Sequence, residues 1–274
     1  MMDKFKLDNK NIIITGGAGF LGRMHAEAIA QAGGHPILGD LYVEEAQEIA
    51  AQISTTFHVR ACGIQLDVTK KESISEMLQT VLNEYGQVDA LINNAANDPK
   101  VKETSDGLEH SRFENFSLEQ WNNDIEVGLT GSFLCSQIIG REMEKKGKGV
   151  ILNISSDLGL NAPDQRIYRK EGCPEHLQPV KPVSYSVVKH ALIGLTKYLA
   201  TYWADKGIRV NTLCPGGVYN NQPDAFVTKL THLIPMGRMA NKDEYMAAVL
   251  FLLSDASSYM TGSTLVIDGG RHCW

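Results

Sequence analysis

The chain has 274 residues, 43% of them hydrophobic and 21% charged, with a formal net charge of −6 at pH 7. That composition is globular and sufficient for a full core, and the acidic balance excludes nucleic acid as the main partner, because phosphate binding needs a basic face. Met1 to Lys10 alternates charged and apolar residues, unlike a secretory leader, and no run approaches the ~18 apolar residues of a spanning helix.

Short apolar runs rich in Ile and Val alternate with helical patterns along the whole chain. Strands are expected at Asn11–Thr15, Pro36–Asp40, Ala61–Asp67, Val88–Asn93, Gly149–Ser155, Ile208–Cys214 and Thr264–Asp268. Helices are expected between them at Leu21–Ala32, Glu44–Ile53, Lys71–Tyr85, Leu118–Lys145, Ser184–Asp205 and Lys242–Leu253. Strands apolar on both faces belong to parallel sheets covered by helices. Strict alternation then predicts a single α/β domain over residues 1–274, doubly wound. Two polar stretches break the rhythm, near 97–117 and 157–183. Loops this long inside a compact domain are usually functional, so both are expected to shape a substrate site. The five cysteines are scattered and include no Cys-x-x-Cys pair, and the eight histidines include no His-x-x-x-His pair. Reduced thiols, no metal site and a cytoplasmic location are the expectation.

The first strand runs into Thr15-Gly16-Gly17-Ala18-Gly19-Phe20-Leu21-Gly22, in which Gly17, Gly19 and Gly22 form a G-x-G-x-x-G. Its position between a strand and a helix gives the motif its meaning. Glycines let backbone N–H groups approach a pyrophosphate, and the helix N-terminus adds partial positive charge. Eighteen residues past Gly22, Asp40 ends the second strand, where a carboxylate can accept from both ribose hydroxyls of NAD and would repel the 2′-phosphate of NADP. Arg23 lies one position past the loop, on the expected helix surface.

Tyr185 and Lys189 stand at i and i+4 early in a helix and share one face. Asn93-Asn94-Ala95-Ala96, Asn153-Ile154-Ser155-Ser156, Cys214-Pro215-Gly216-Gly217 and Asp268-Gly269-Gly270 all follow strands, at the carboxyl ends where open α/β sheets bind ligands. Taken in order, these motifs resemble the short-chain dehydrogenase/reductase family over Lys10 to Gly270. The resemblance implies a single-domain Rossmann fold with a seven-stranded parallel sheet of order 3-2-1-4-5-6-7. It implies that Ser156, Tyr185 and Lys189 are catalytic. It implies that NAD is held by Gly16, Gly19, Phe20, Leu21 and Gly22, by Asp40, by Asp67 and Val68 near the adenine, and by Asn94. Tyr185, Lys189, Pro215, Gly216, Val218 and Asn220 complete that set, with the Val218 backbone on the carboxamide. Asn93 matches an asparagine that steadies the sheet. A tyrosine has an ordinary pKa of ~10 and is a poor base at neutral pH. A lysine ammonium and the positive nicotinamide of NAD⁺ nearby favour its phenolate. Tyr185 could then take the alcohol proton while Ser156 hydrogen-bonds the reacting oxygen. Ser155, on the other side of the strand, is the weaker candidate.

The chain departs from the family in four places. Val127-Gly128-Leu129-Thr130-Gly131 carries glycine where the family usually has a catalytic-tetrad asparagine. Phe20 replaces a glycine of the loop, giving a spacing closer to the sugar-nucleotide-modifying branch. Asn220 stands where a threonine is common. Ser156 and Tyr185 are separated by 29 positions, against roughly a dozen in most members. The extra segment contains Arg166, Tyr168, Arg169, Lys170, His176 and Lys181, and the loop after Asn94 adds Lys100, Lys102, His110 and Arg112. Arg166 and Arg169 are the expected contacts for an anionic group on the substrate. The wording of these insertions resembles that of members associated with bacterial surface-sugar pathways. The leading expectation is an NAD-dependent alcohol/ketone oxidoreductase acting on a small polar, phosphorylated or sugar-like molecule, assembled as a homotetramer through the helices near 118–145 and 184–205. The alternatives are a sugar-nucleotide epimerase or dehydratase that recycles its NAD, against which the chain's stop after Asp268-Gly269-Gly270 counts, and a non-catalytic NAD-binding regulator.

Overall fold

The computed structural model describes residues 2–97 and 110–274. Among the described residues seven strands lie in one parallel sheet of order β3-β2-β1-β4-β5-β6-β7. They are β1 (Asn11–Thr15), β2 (His35–Asp40), β3 (Cys62–Gln65), β4 (Ala90–Asn93), β5 (Gly149–Ile154), β6 (Ile208–Pro215) and β7 (Thr264–Ile267). Every residue of β1, β4 and β5 is buried. The edge strands β3 and β7 are only half-covered.

Helices α1 (Phe20–Gln31), α2 (Val43–Phe57), α3 (Lys71–Tyr85), α4 (Leu118–Ile125), α5 (Gly131–Lys146), α6 (Val183–Trp203), α7 (Asp224–Thr231) and α8 (Met246–Leu253) complete the frame. Alternation along the strands splits the core into two layers. Ile12, Ile14, Leu38, Ile92 and Leu152 face α1, α2 and α8 through Ile29, Ile53 and Val249. Ile13, Ile37, Leu91, Ile151 and Val210 face α3, α5 and α6 through Ile74, Leu134, Ile139 and Trp203. Each such side chain contributes roughly 1.5–3 kcal/mol on burial. Among the described residues no helix is long and apolar enough to cross a membrane.

Three elements differ from the sequence expectation. The helix expected over Leu118–Lys145 is broken by a π turn at Glu126–Thr130. Gly128 lies in that turn, and a Cβ there would meet Val188 Cγ1 of α6 at 2.6 Å. Helix α7 was hidden by Asn220-Asn221-Gln222-Pro223, a run of turn formers. Asn221 indeed takes φ 56°, and Pro223 then caps the helix. The last helix starts at Met246, because residues 242–245 form turns.

A buried polar chain ties the sheet to α5 and α6. Asn93 Nδ2 donates to Asn153 Oδ1 at 2.8 Å and to Ser136 Oγ at 3.0 Å. Asn153 Nδ2 donates to Thr196 Oγ1 at 2.7 Å, which also accepts from the Thr212 hydroxyl at 2.6 Å. Ser136 donates to the Ser132 carbonyl, and Ser132 to the Gly128 carbonyl. Asn93 therefore steadies the sheet as expected, although its own Oδ1 finds no partner among the described residues.

Candidate active site

The glycine loop is shaped by contacts that only glycine permits. Gly16 takes φ +64°, and a Cβ on Gly22 would lie 2.2 Å from the Gly16 carbonyl oxygen. The first turn of α1 therefore sits directly on the loop. Asn94, at the end of β4, donates through Nδ2 to the carbonyls of Thr15 and Gly16, both at 3.0 Å. The Thr15 hydroxyl accepts from the Asn94 and Ala95 amides in return, each at 3.0 Å. The result is a backbone-lined loop at the N-terminus of a 12-residue helix, an arrangement that can hold an anion. Phe20, the departure from glycine, opens α1 and is exposed.

Asp40 is buried at the end of β2. Its Oδ2 accepts from the Ala18 amide at 2.9 Å and its Oδ1 from the Tyr42 amide at 3.1 Å. The carboxylate is thus fixed against the loop with lone pairs left over for further donors. Arg23 turns away from it: Nε pairs with Glu27 at 3.0 Å and Nη2 donates to Gln52 at 3.2 Å. Asp67, expected on the adenine side, follows β3. The Thr69 hydroxyl and then the Lys70 ammonium hold its carboxyl below the usual carboxylate range, against a partial opposing effect of burial. Val68 packs against Gly131, where a Cβ would meet Val68 Cγ2 at 2.7 Å.

On α6, residues 184, 188, 192, 196 and 200 form one buried stripe, which carries the adjacent Lys189 inward. Lys189 Nζ donates to the Ile154 carbonyl at 2.9 Å and lies 5.7 Å from the centre of the Tyr185 ring. Ser155 Oγ donates to the Lys189 carbonyl at 2.7 Å. The end of β5 therefore grips α6 by both the side chain and the backbone of Lys189. That contact engages Ser155 and leaves Ser156 as the hydroxyl in the loop. Ser156 Oγ accepts from the Leu158 amide at 3.1 Å and donates to Asp157 Oδ1 at 2.8 Å. Asp157 is itself buried and ion-paired to Arg271 Nη1 at 2.6 Å. The sequence reading did not anticipate this pair. Its one local signal was an acid directly after the serine at a strand end.

The turn after β6 is similarly tied down. The Gly216 amide donates to the Ile267 carbonyl at 2.8 Å, and the Tyr245 hydroxyl donates to the Gly216 carbonyl at 3.0 Å. A Cβ on Gly216 would meet the Asp268 Cα at 2.8 Å, so Pro215 and Gly216 press directly on the end of β7. Gln222 braces the next residues, accepting from the Asn220 amide at 2.7 Å and donating to the Val218 carbonyl at 2.9 Å.

The insertion near 157–183 is packed into a small cluster that it shares with α7 and the segment after it. Ile167 is buried with Leu230, Ile234 and Met239, and Tyr168 meets Phe226 of α7 at 5.6 Å between ring centres. Arg166 and Arg169, the expected substrate contacts, lie on its outer surface. Arg166 is 81% exposed and pairs with Asp164, whose carboxyl it holds down to about 2. Arg169 is 55% exposed and pairs with Glu175 at 2.9 Å. Lys181 is the insertion's cation that reaches the site, its Nζ 3.8 Å from the centre of the Tyr185 ring. Arg112 joins the two insertions by donating to the Glu175 carbonyl at 3.0 Å. Lys100 and Lys102 lie outside the described residues.

Comparison with known proteins decides the family. A family model described as short chain dehydrogenase matches residues 10–168, and one described as Enoyl-(Acyl carrier protein) reductase matches 175–272. The chain belongs to the short-chain dehydrogenase/reductase family. It is similar to an NAD-dependent glycerol dehydrogenase of Listeria innocua, with 33% identity over 97% of this chain and 95% of that one. A D-threitol dehydrogenase of Mycolicibacterium smegmatis is also 33% identical, over 97% and 94% of the two chains. Among solved structures, a gluconate 5-dehydrogenase from Burkholderia cenocepacia in complex with NADP and tartrate superposes with a TM-score of 0.86. It is 27% identical, with 100% and 99% of the two chains covered. As a short-chain dehydrogenase/reductase the chain is an oxidoreductase with the family's single-sheet Rossmann fold. The seven-stranded order that the resemblance implied is the order observed.

Proposed function

We propose that this short-chain dehydrogenase/reductase interconverts a small polyhydroxylated alcohol and the matching ketone with NAD(H). The carrying observation is the arrangement at the end of β5. Tyr185 and Lys189 lie one helical turn apart, Lys189 Nζ is bonded to the Ile154 carbonyl, and Ser156 follows two residues after Ile154. The glycine loop suits a dinucleotide because Gly22 lets the first turn of α1 close onto the Gly16 carbonyl, which brings the helix N-terminus against the loop. Gly16, Gly19, Phe20, Leu21 and Gly22 would hold its phosphates, Asp40 a ribose, and Asp67 with Val68 the adenine side. Asn94, Pro215, Gly216, Val218 and Asn220 would hold the nicotinamide side. When bound, the nicotinamide supplies the hydride acceptor or donor.

In the oxidising direction Tyr185 takes the proton from the substrate hydroxyl. Lys189, immobilised on Ile154, supports the phenolate form by its charge. Ser156 turns its hydroxyl from Asp157 to the reacting oxygen, a stabilising donor worth about 10²–10³ in rate where such groups have been removed from enzymes. NAD is favoured over NADP because Asp40 is a fixed anion at the ribose edge and Arg23 is engaged elsewhere. A polyol substrate is supported by the glycerol, threitol and gluconate enzymes to which the chain is similar. Exposed Tyr198 and Tyr202, stacked on α6 at 5.9 Å, support assembly of several copies through that helix.

The test is NADH formation from a panel of glycerol, threitol, xylitol and gluconate, with wild type beside Tyr185→Phe. We expect turnover by wild type on at least one of them and none by the variant, with NADH binding retained. A Tyr185→Phe enzyme near wild-type turnover would overturn the assignment.

A further inference from the structure

Lys181 belongs to the insertion and not to the helix that carries Tyr185 and Lys189. Its Nζ nevertheless lies 3.8 Å from the centre of the Tyr185 ring, closer than the 5.7 Å of Lys189. The placement is built into the backbone. The Lys181 amide donates to Gln165 Oε1 at 2.9 Å, and Gln165 Nε2 donates back to the Lys181 carbonyl at 3.4 Å. Pro182 follows directly, which restricts Lys181 to extended backbone and starts α6. Gln165 lies beside Ile167, whose side chain is buried against α7. The insertion thus has a packed base and one side-chain clamp, and that clamp delivers an ammonium to the face of the tyrosine ring.

A cation over an aromatic face is attracted by the ring's electrons, by about 0.5–2 kcal/mol depending on solvation. A phenolate ring carries more negative charge than a phenol, so the same ammonium favours the ionised form. Resting on the reading that Tyr185 is the proton acceptor, we propose that Lys181 is a positioning residue that tunes it: a second ammonium, supplied by the insertion, that stabilises the Tyr185 phenolate from the ring face while Lys189 acts from within the helix. Other charged groups among the described residues lie near this end of α6. Asp124 of α4 accepts the hydroxyl of Ser184 next door. Asp157 and Arg271 neutralise each other behind Ser156. His190 lies on the exposed side of α6, with Nδ1 at the Ser186 carbonyl. None of these supplies a second positive charge to the ring.

The experiment is an ultraviolet titration of tyrosinate absorbance in the full chain, without cofactor or substrate. The Tyr185 component is the difference between each protein and its Tyr185→Phe counterpart. Lys181→Met is expected to raise the Tyr185 midpoint by about one pH unit, the scale of one nearby charge. Lys181→Arg should restore it, and Gln165→Ala, which keeps the charge and releases the clamp, should raise it part-way. On an active polyol, the acid-side limb of the activity profile, where oxidation rises with pH as Tyr185 loses its proton, should move with the titration. An unshifted midpoint in Lys181→Met overturns the proposal. An unshifted midpoint together with a raised KM for anionic alcohols alone overturns it and makes Lys181 a substrate contact. A Tyr185→Phe enzyme that still turns over defeats the reading of Tyr185 instead, and the titration distinguishes that failure from this one.

Discussion

Replacing Gly128 by alanine sets two effects of known size against each other. In a helix interior alanine is favoured over glycine by up to about 1 kcal/mol. The added Cβ, however, would sit 2.6 Å from Val188 Cγ1, about 0.8 Å short of ordinary contact. Val188 is buried and β-branched, so its χ1 in α6 has little freedom to yield. Overpacking of this kind costs roughly 1–3 kcal/mol, so packing wins by as much as about 2 kcal/mol. At ~2–4 °C per kcal/mol for a domain of this size, the melting temperature should fall by several degrees. Activity should fall further than stability, because Val188 adjoins Lys189 and a shift approaching 1 Å at a reacting group can cost about 10²-fold. Gly128→Asn, which installs the residue usual in the family, should act in the same direction and more strongly. Adding Val188→Ala should relieve both, with a coupling of about 1 kcal/mol in the double-mutant cycle. Melting curves and steady-state NADH formation measure the two effects. A Gly128→Ala protein that melts higher and keeps its kcat would refute the argument, since propensity would then be unopposed.

Asp40→Ala should weaken NAD binding by about 10- to 100-fold, the loss of hydrogen bonds to a charged acceptor, while NADP binding holds or improves; equal losses for both, read by fluorescence titration, would contradict the ribose role. Arg271→Met leaves Asp157 buried without its cation and should cost about 3–5 kcal/mol in urea unfolding; a cost under about 1 kcal/mol would mean the pair anchors nothing. His25 is buried in α1, and desolvation pushes its pKa from 6.5 down to about 4, partly opposed by nearby Asn94. The unfolded chain therefore binds a proton that the native state refuses: stability is full above pH 6.5 and falls toward pH 4, by up to about 3 kcal/mol. In His25→Leu that part of the slope should vanish, and superimposable stability–pH curves for the two proteins would show that His25 is not its source.

The parts legible in the sequence were those with a local signature. Parallel strands buried on both faces give uninterrupted runs such as Ile12-Ile13-Ile14, and a glycine loop between strand and helix can be read in eight residues. Tyr185 and Lys189 share a face by helical spacing alone. Contacts set by tertiary folding left no such trace. Arg271 reaches Asp157 across 114 positions, and nothing in either neighbourhood announces the other. The insertion was recognisable by its length and charge, yet its arginines proved to be matched by Asp164 and Glu175 within six positions of themselves. The lysine that does reach Tyr185, Lys181, is four residues upstream, where a proline hides the start of the helix. Gly128 was visible as a departure, but its physical reason, the nearness of Val188, belongs to the packing of α6 against the π turn.

The chain of side-chain bonds from Gly128 through Ser132, Ser136, Asn93, Asn153 and Thr196 to Thr212 has a consequence for how this scaffold can change. A helix that slid by one turn against the sheet would strand several buried amides and hydroxyls at once, each at about 1–3 kcal/mol. Intermediate positions of α5 and α6 are therefore penalised along with alternative ones, and the two helices have one permitted seat. Loops above the sheet can then be lengthened, shortened or recharged without dislodging the helix that carries Tyr185 and Lys189. A change to any of these small polar residues, by contrast, disturbs the seating of α5 and α6 on the sheet.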